Sequence, residues 1–555
     1  MVALGPLVRN LLRLASGLSL LALVGCDTGP GVQAEPPVLT ITSPQRSLVQ
    51  NGAGTITVTG TALPNASGQP IASVSVNNVA ATVGADGQFT ASVQIQAGAS
   101  QLHTEAVDAA GGKATDTRSV HAGDVRPVGS NIDNAMVASI STNAFGKISQ
   151  AASTVITGFD FNSMLAPLQP MQHAGDSNGA DCLYDQAFID DLKLQNAIIS
   201  LTPVDGGLAF SLEIDGLDVP AHANFAVACV DGSETMEVTA DKVVVTGTLL
   251  VSPDGMNGFT TTLASPNVEL TNFHLDAGGV PGKILDMIDM NHLIGSIIST
   301  SAEKFMGPMM NQALGGLAGP KQLNLLGKTI DITVAPTDLS FDAAGAVVAL
   351  STSFMIEGAE KSPGFIYTDN GTPTMTPGDG LTMGMADDLA NEALAELTAL
   401  DLLTISMPTP GGSFDNINLS MTTPPMISAD PADGKMRLFL GDMKMEFTLI
   451  GHPVAVAYMN AKVDLAVATA NNGAGVAIQL GTPDLNVDVD TTVPNATHLE
   501  DADLSQAVKL GLSAQLSSVS ALLGGIPLPS VEGLVMQDVS VGGDAGYVMI
   551  NATLK

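Results

Sequence analysis

The sequence predicts an α+β protein that is mostly β: an N-terminal β-sandwich followed by two related sheet-and-helix domains. Three observations predict it. Short alternating strands broken by turn residues fill the stretch from about Val38 to His121. Farther on the strands lengthen, as at Leu208, Phe210, Leu212 and Ile214, which share one face. The order helix, meander, helix, strand then occurs twice between Asn131 and Lys555, the organisation of a duplicated domain.

Composition narrows the function. The 555 residues carry 20 Lys and Arg against 55 Asp and Glu, a formal net charge of −35. Nucleic acid is excluded as an ordinary partner, because phosphate binding needs clustered cations. A basic surface resting on anionic lipid is excluded on the same ground. With 45% hydrophobic and 14% charged residues the chain is not broadly disordered. Its 58 Gly and absence of Trp leave few aromatic anchors for stacking on sugars or bases.

Residues 1–25 read as a signal peptide. Arg9 and Arg13 precede an apolar run, Leu14 to Val24, that is too short to span a bilayer. The run ends in Leu23-Val24-Gly25-Cys26, which resembles a bacterial lipobox. The resemblance implies acylation of Cys26 by chains such as palmitate, a mature chain of 555 − 25 = 530 residues, and a membrane-anchored lipoprotein of the bacterial cell envelope. Residues 26–37, rich in Gly and Pro, form a tether. Export leaves Cys182 and Cys229 in an oxidising compartment, so a disulfide is expected. Two buried thiols are the alternative. No His or third Cys stands at metal-ligand spacing.

Residues 38–122 form the sandwich. Leu39–Thr42, Thr55–Thr59, Val74–Val76, Phe89–Ile95 and Leu102–Val107 are strand candidates, with turns at Asn65–Gly68, Asp86-Gly87 and Ala109–Gly112. This segment resembles the Ig-like modules appended to bacterial surface proteins, which act as spacers or as binders. Gly123–Val128 is an exit linker.

The first large domain covers residues 131–357. A different regime begins at Asn131, and Val137, Ile140, Ala144, Ile148, Ala151, Val155 and Phe159 recur at helical spacing and predict an amphipathic helix. Strands follow, including Val243–Val251. A second helical stretch runs from Ile284 to about Leu314, with a break expected at Pro308. Residues 358–380, Pro- and Gly-rich, are a crossover linker. The second domain, 381–555, opens with a helix from about Ala386 to Leu403 whose apolar stripe is Leu389, Ala393, Leu397 and Leu400. Strands are expected at Met436–Leu440, Met443–Leu449, Ala455–Tyr458, Val463–Val467 and Leu485–Val489, then a last helix from about Ala502 to Leu523 and a closing strand at Tyr547–Ile550.

The closing stretch, Leu523-Gly-Gly-Ile-Pro-Leu-Pro through Tyr547-Val-Met-Ile, is similar to the C-terminus of the bactericidal/permeability-increasing and lipopolysaccharide-binding family. The Ala386–Leu403 helix and the Pro424-Pro-Met-Ile segment resemble the opening of that family's second half. The resemblance covers about Ile132 to Lys555. It implies two curved antiparallel barrel-like domains, each wrapped around long helices and enclosing an apolar tube that admits acyl chains. Its lipopolysaccharide recognition is not implied, because the acidic chain lacks the cations for a phosphate-seeking tip.

Catalytic signals are thin. Gly175-Asp-Ser-Asn-Gly179 matches a nucleophile elbow formally, but the flanking residues fit a turn better than a strand and a helix. Asp176 to Asp181 has carboxylates at a spacing that could touch calcium, without the distal Glu of an EF-hand loop. The eight His are single, His292 among them, and the acidic excess reads as solvated surface. No catalytic residue, metal site or cofactor is expected. The expected partner is a lipid or other apolar small molecule, lined by Ile284, Ile288, Ile294, Ile298, Met306, Met310, Leu397 and Leu512. A structural or adhesive surface protein is the alternative, and a serine esterase using Ser177 the third reading.

Overall fold

The computed structural model describes residues 36–555 apart from 67, 158–160, 177–182, 286–318, 326–327, 370, 374, 376–379, 404, 409–414, 431–432, 434, 471–474, 491–523, 528–535, 545 and 555. The signal peptide, Cys26, Ser177, Cys182 and the last helix therefore lie outside the described residues, as does most of the second helical stretch.

Nine strands build the N-terminal domain: β1 (Val38–Ser43), β2 (Leu48–Gln50), β3 (Gly54–Leu63), β4 (Ile71–Val76), β5 (Val79–Ala80), β6 (Thr82–Val83), β7 (Gln88–Ile95), β8 (Gly98–Asp108) and β9 (Lys113–Ala122). They pair as two sheets, β1-β3-β7-β6 and β2-β9-β8-β4-β5, whose facing residues include Val58, Val74, Phe89, Leu102 and Val120. Alternation decides this packing: β7 buries every second side chain from Phe89 to Ile95.

The exit linker holds a strand, β10 (Asp124–Arg126). After it β11 (Ile132–Ser141) crosses the molecule, and α1 (Thr142–Thr157) begins where β11 ends. The helical series read from Val137 thus becomes helix five residues later, and Val137 and Ile140 belong to the strand. From Val137 to Ser141 this central strand is buried from both sides, and such a strand loses the period-2 signal that marks exposed ones. Ser141 sets the boundary, its Oγ accepting the backbone N–H of Ala144 as an N-cap. Next come α2 (Phe161–Leu165), β12 (Gln172–Asp176), β13 (Leu183–Ile189), β14 (Asn196–Val204), β15 (Gly207–Val227), β16 (Val230–Pro253), β17 (Phe259–Thr271), β18 (His274–Asp276) and α3 (Gly282–Leu285). The strands form one half-barrel sheet on the path β12-β13-β15-β16-β17.

Three strands then return toward the centre: β19 (Gly319–Leu325), β20 (Lys328–Asp342) and β21 (Gly345–Ile356). The crossover carries β22 (Phe365–Tyr367), which pairs with β10, and is followed by β23 (Leu381–Ala386) and α4 (Asp387–Ala399). A second half-barrel sheet holds β24 (Ile405–Pro408), β25 (Asn416–Ser420), β26 (Met426–Ala429), β27 (Met436–Leu449), β28 (His452–Ala470), β29 (Gly475–Leu480), β30 (Asp484–Val489) and β31 (Gly524–Pro527). The chain closes with β32 (Met536–Asp544) and β33 (Tyr547–Leu554).

Strands from both halves share the central sheet, in the order β19-β20-β21-β11-β23-β33-β32. Tyr547 fastens its middle: the hydroxyl lies 3.0 Å from the Asn134 carbonyl and 2.7 Å from that of Gly371.

The sandwich docks on the outer face of the second half-barrel. Two segments expected as separate strands, Met436–Leu440 and Met443–Leu449, are one strand with a bulge: Leu440 pairs with Ala461 but Met443 with Met459. The extra residue includes Asp442, in the left-handed region at φ 43°. A bulge re-aims its side chain, and Asp442, fully buried, accepts from Arg46 Nη1 at 2.9 Å, Ser47 N at 2.6 Å and Ser119 N at 3.0 Å. Asn460 donates to the Thr117 carbonyl, and Asp488 accepts the Thr117 N–H. The preceding Gly441 must be glycine, since a Cβ there collides with Ser119. Asp442→Ala removes one of the two carboxylates paired with Arg46, Asp116 remaining at 3.1 Å, and leaves the Ser47 and Ser119 N–H groups without their acceptor, so we expect a loss of about 2–4 kcal/mol. Chemical denaturation of wild type and variant measures it, and an unchanged midpoint contradicts the latch.

Candidate functional site

The inner faces of β15 and β16 in the first half-barrel, and of β27 and β28 in the second, are lined by apolar side chains. β15 and β16, at 21 and 24 residues, extend about 70–80 Å at roughly 3.3 Å per residue. Leu208, Phe210, Leu212 and Ile214 face inward as expected, together with Val243, Val245 and Leu249. Past Asp215 the parity reverses: Leu217, Val219, Ala221, Ala223 and Phe225 become the buried set, and β16 changes parity beside it, at Asp241–Lys242. Gly216, at φ 62°, supplies the irregularity. Both strands thus stay apolar inward through a bend.

α1 lies on this face, with Ala144, Phe145, Ile148, Ala152 and Ile156 buried against β14 and its neighbours. Ser149 and Ser153 lie at the contact and accept the backbone N–H of Leu201 and Ile199. At the far end a smaller cluster gathers Leu165, Ala187, Ala221, Ala223, Phe225, Met236, Val280 and Ile284.

The second half-barrel is lined by Leu438, Leu440, Met443, Met445 and Phe447 of β27 and by Ala455, Ala457, Met459, Ala461 and Val463 of β28. The Asp442 bulge keeps Met443 and Met445 on the same face as Leu438 and Leu440. Three fully buried methionines here give a wall of flexible thioethers that conforms to irregular shapes.

Of the residues expected to line a ligand, Ile284 is fully buried in the far cluster of the first half. Leu397 is on α4, packed against Ile330, Phe354, Ile356 and Ala359, not against the second lining. Ile288, Ile294, Ile298, Met306, Met310 and Leu512 lie outside the described residues, as do His292 and Pro308. The linings on β15, β16, β27 and β28 are what the helix-centred reading passed over. Their signal was the alternation of Met443, Met445 and Phe447, and of Ala455, Ala457 and Met459.

α4 corrects another expectation. Its acidic residues are not solvated surface: Asp387, Asp388, Glu392 and Glu396 are buried, and Asn391 with them. Each of four side chains accepts a backbone N–H from a different segment. Asp388 takes Thr368 at 2.8 Å, Glu392 takes Gly129 at 2.6 Å, Glu396 takes Ile356, and Asn391 exchanges two bonds with Ile427. Burial raises the carboxyl pKa values, to about 7 for Asp388, about 8 for Glu392 and about 7 for Glu396. Mutual repulsion adds to the rise at Glu392, while Arg126 opposes it at Asp388.

A polar cavity of about 600 Å³ lies between the sandwich and the second half, bordered by Asn77, Gln101, His103, Glu105, Asp430 and Lys462. Its lining mixes these polar groups with Ile95 and Phe439. Among the described residues no cluster of His, Cys, Asp or Glu is arranged to hold a metal, and no helix is long and apolar enough to cross a membrane.

The family described as Glucodextranase, domain B, matches residues 37–123, the sandwich alone. A crystal structure of lipopolysaccharide binding protein is similar at 14% identity, covering 76% of this chain and 99% of that one, with a TM-score of 0.39. The extracellular cadherin domains 1–5 of protocadherin gamma B2 are similar at 9% identity and a TM-score of 0.13, over 78% of this chain and 57% of that one. No curated protein matches the sequence.

The α4 carboxyls make stability depend on pH. Their folded pKa values exceed the unfolded values near 4, so the folded state holds more protons between the two and loses stability as pH rises. The denaturation midpoint is expected to fall between pH 5 and pH 9, and Glu392→Gln to flatten part of that fall. A midpoint that rises over this range contradicts the assignment.

Proposed function

We propose that this protein is an envelope-anchored lipoprotein that binds a lipid, or a similar long apolar molecule, along the inner faces of its two half-barrels. The observation that carries the reading is the unbroken apolar lining of β15 and β16, maintained through a bend by paired irregularities. A sheet needs no such length to bury a core of ordinary size, whereas an acyl chain does need a long dry groove. The driving force is burial: at about 0.8 kcal/mol per CH₂, a sixteen-carbon chain offers on the order of 10 kcal/mol before ordering costs. No covalent chemistry is required, and the acidic chain favours neutral or zwitterionic head groups over polyanionic ones. Transfer between membranes is the natural extension of such binding. Acylation at Cys26 holds the protein at the bacterial membrane.

The chain from Asp27 onward, exported and purified without detergent, is expected to carry one or two lipids by native mass spectrometry, identified after extraction. A chain that is empty, and stays empty after incubation with envelope lipid extract, contradicts the reading. It leaves ahead the structural or adhesive one, which the closely packed first interior favours.

A disulfide between Cys182 and Cys229 belongs to the same proposal. Tyr184 pairs with Ala226, so the start of β13 runs beside the β15–β16 turn that holds Cys229. In the exported protein, alkylation before reduction is expected to label neither cysteine. Labelling of both overturns the pairing.

A further inference from the structure

Asp185 stands on β13 opposite Ala174 of β12 and Phe225 of β15. Directly opposed residues of antiparallel strands share a face, and here it is the inner one, because Phe225 belongs to the apolar cluster with Ala187, Ala223, Leu165, Met236 and Ile284. Asp185 is 0% exposed, and neither carboxylate oxygen has a hydrogen-bond partner among the described residues. The other buried carboxylates with an unpartnered oxygen differ. Asp108, Asp218, Glu392 and Glu396 each keep their second oxygen engaged.

Such a group is costly, since burying a polar side chain without a partner forfeits its hydration. Among the described residues Asp185 fixes no turn, caps no helix and accepts no hydrogen bond; its charge interaction is with His173 of β12, which leaves both oxygens unbonded. An apolar residue at this position would pack as Ala187 does. A buried acceptor at the end of a long apolar lining has the form of a polar contact that fixes the orientation of an apolar ligand.

We propose that Asp185 anchors the head of the ligand in the first half-barrel, accepting a hydrogen bond from a long-chain amphiphile that carries a hydroxyl or an ammonium. The tail lies along the inner faces of β15 and β16. The proposal rests on the lipid reading above and narrows its ligand to donor-bearing amphiphiles. Burial pushes the Asp185 carboxyl up from its ordinary value, and His173 opposes the shift. In its neutral form the group meets a hydroxyl, and in its charged form an ammonium, so the two sources are separable.

The test uses the chain from Asp27 onward and three probes of equal chain length, hexadecanol, hexadecylamine and methyl palmitate, in competition by native mass spectrometry. Wild type is expected to hold a donor-bearing probe at least about tenfold over the ester, because a site built to bond a donor rejects the analogue lacking one. Preference for the amine reports an ammonium ligand, preference for the alcohol a hydroxyl one. Asp185→Leu is expected to keep total lipid occupancy and lose the discrimination. Asp185→Asn, of nearly the same size, removes the charge if the leucine variant folds poorly, and abolishes any preference for the amine. Both lipid-free variants are expected to melt at or above the wild-type temperature. Equal retention of all three probes by wild type overturns the anchor and leaves lipid binding intact, as does unchanged discrimination in Asp185→Leu. A melting temperature lowered by several degrees in both variants overturns it too, by assigning Asp185 to the fold. Binding of none of the probes by wild type overturns the lipid reading itself.

Discussion

Backbone N–H groups from four separate segments converge on one face of α4, and the rest of the architecture depends on how they are satisfied. Gly129 ends the linker from the sandwich, Ile356 ends β21, Thr368 follows β22, and Ile427 is in β26. At a junction of this kind the strands cannot all complete their ladders, and an unpaired buried N–H is costly. Side-chain oxygens on successive turns of one helix meet all four. The cost is three carboxyl groups held out of water, which remain neutral up to about pH 7. One helix thereby fixes the central sheet, the crossover, the second half-barrel and the linker around a common point.

The long sheets obey a second constraint. A strand that bends cannot keep alternation strictly, because one irregular residue exchanges its faces. β15 and β16 change parity side by side at Gly216 and Asp241, so the apolar face continues. In β27 the irregularity does two things. Met443 and Met445 stay inward, and Asp442 is turned outward to receive Arg46, Ser47 and Ser119 of the sandwich. The lining of one domain and the docking of another therefore rest on the same bulge.

That docking changes the sense of the N-terminal module. A spacer on a free linker moves independently, whereas here Arg46 also lies 4.4 Å over the Tyr458 ring and β10 is zipped to β22. The sandwich joins the half of the protein farther from it in sequence. Its polar contacts give register and orientation more than raw affinity.

By itself the sequence determined the class, the sandwich and the inward face of Leu208, Phe210, Leu212 and Ile214, since each depends on alternation among neighbours in the chain. It also marked α4 and its apolar stripe through Leu389, Ala393, Leu397 and Leu400. It could not place Val137–Ser141 in a strand, because burial on both sides erases the period that separates strand from helix. Nor could it show that Asp388, Glu392 and Glu396 face inward, because a helix with acidic residues opposite an apolar stripe looks solvated until backbone donors from distant segments are brought against it. The position of Asp442 between two domains, and of Asp185 in an apolar interior without a hydrogen-bond partner among the described residues, was decided by tertiary structure alone. Hydrogen bonding and desolvation act between residues hundreds of positions apart, whereas hydrophobic periodicity is written locally.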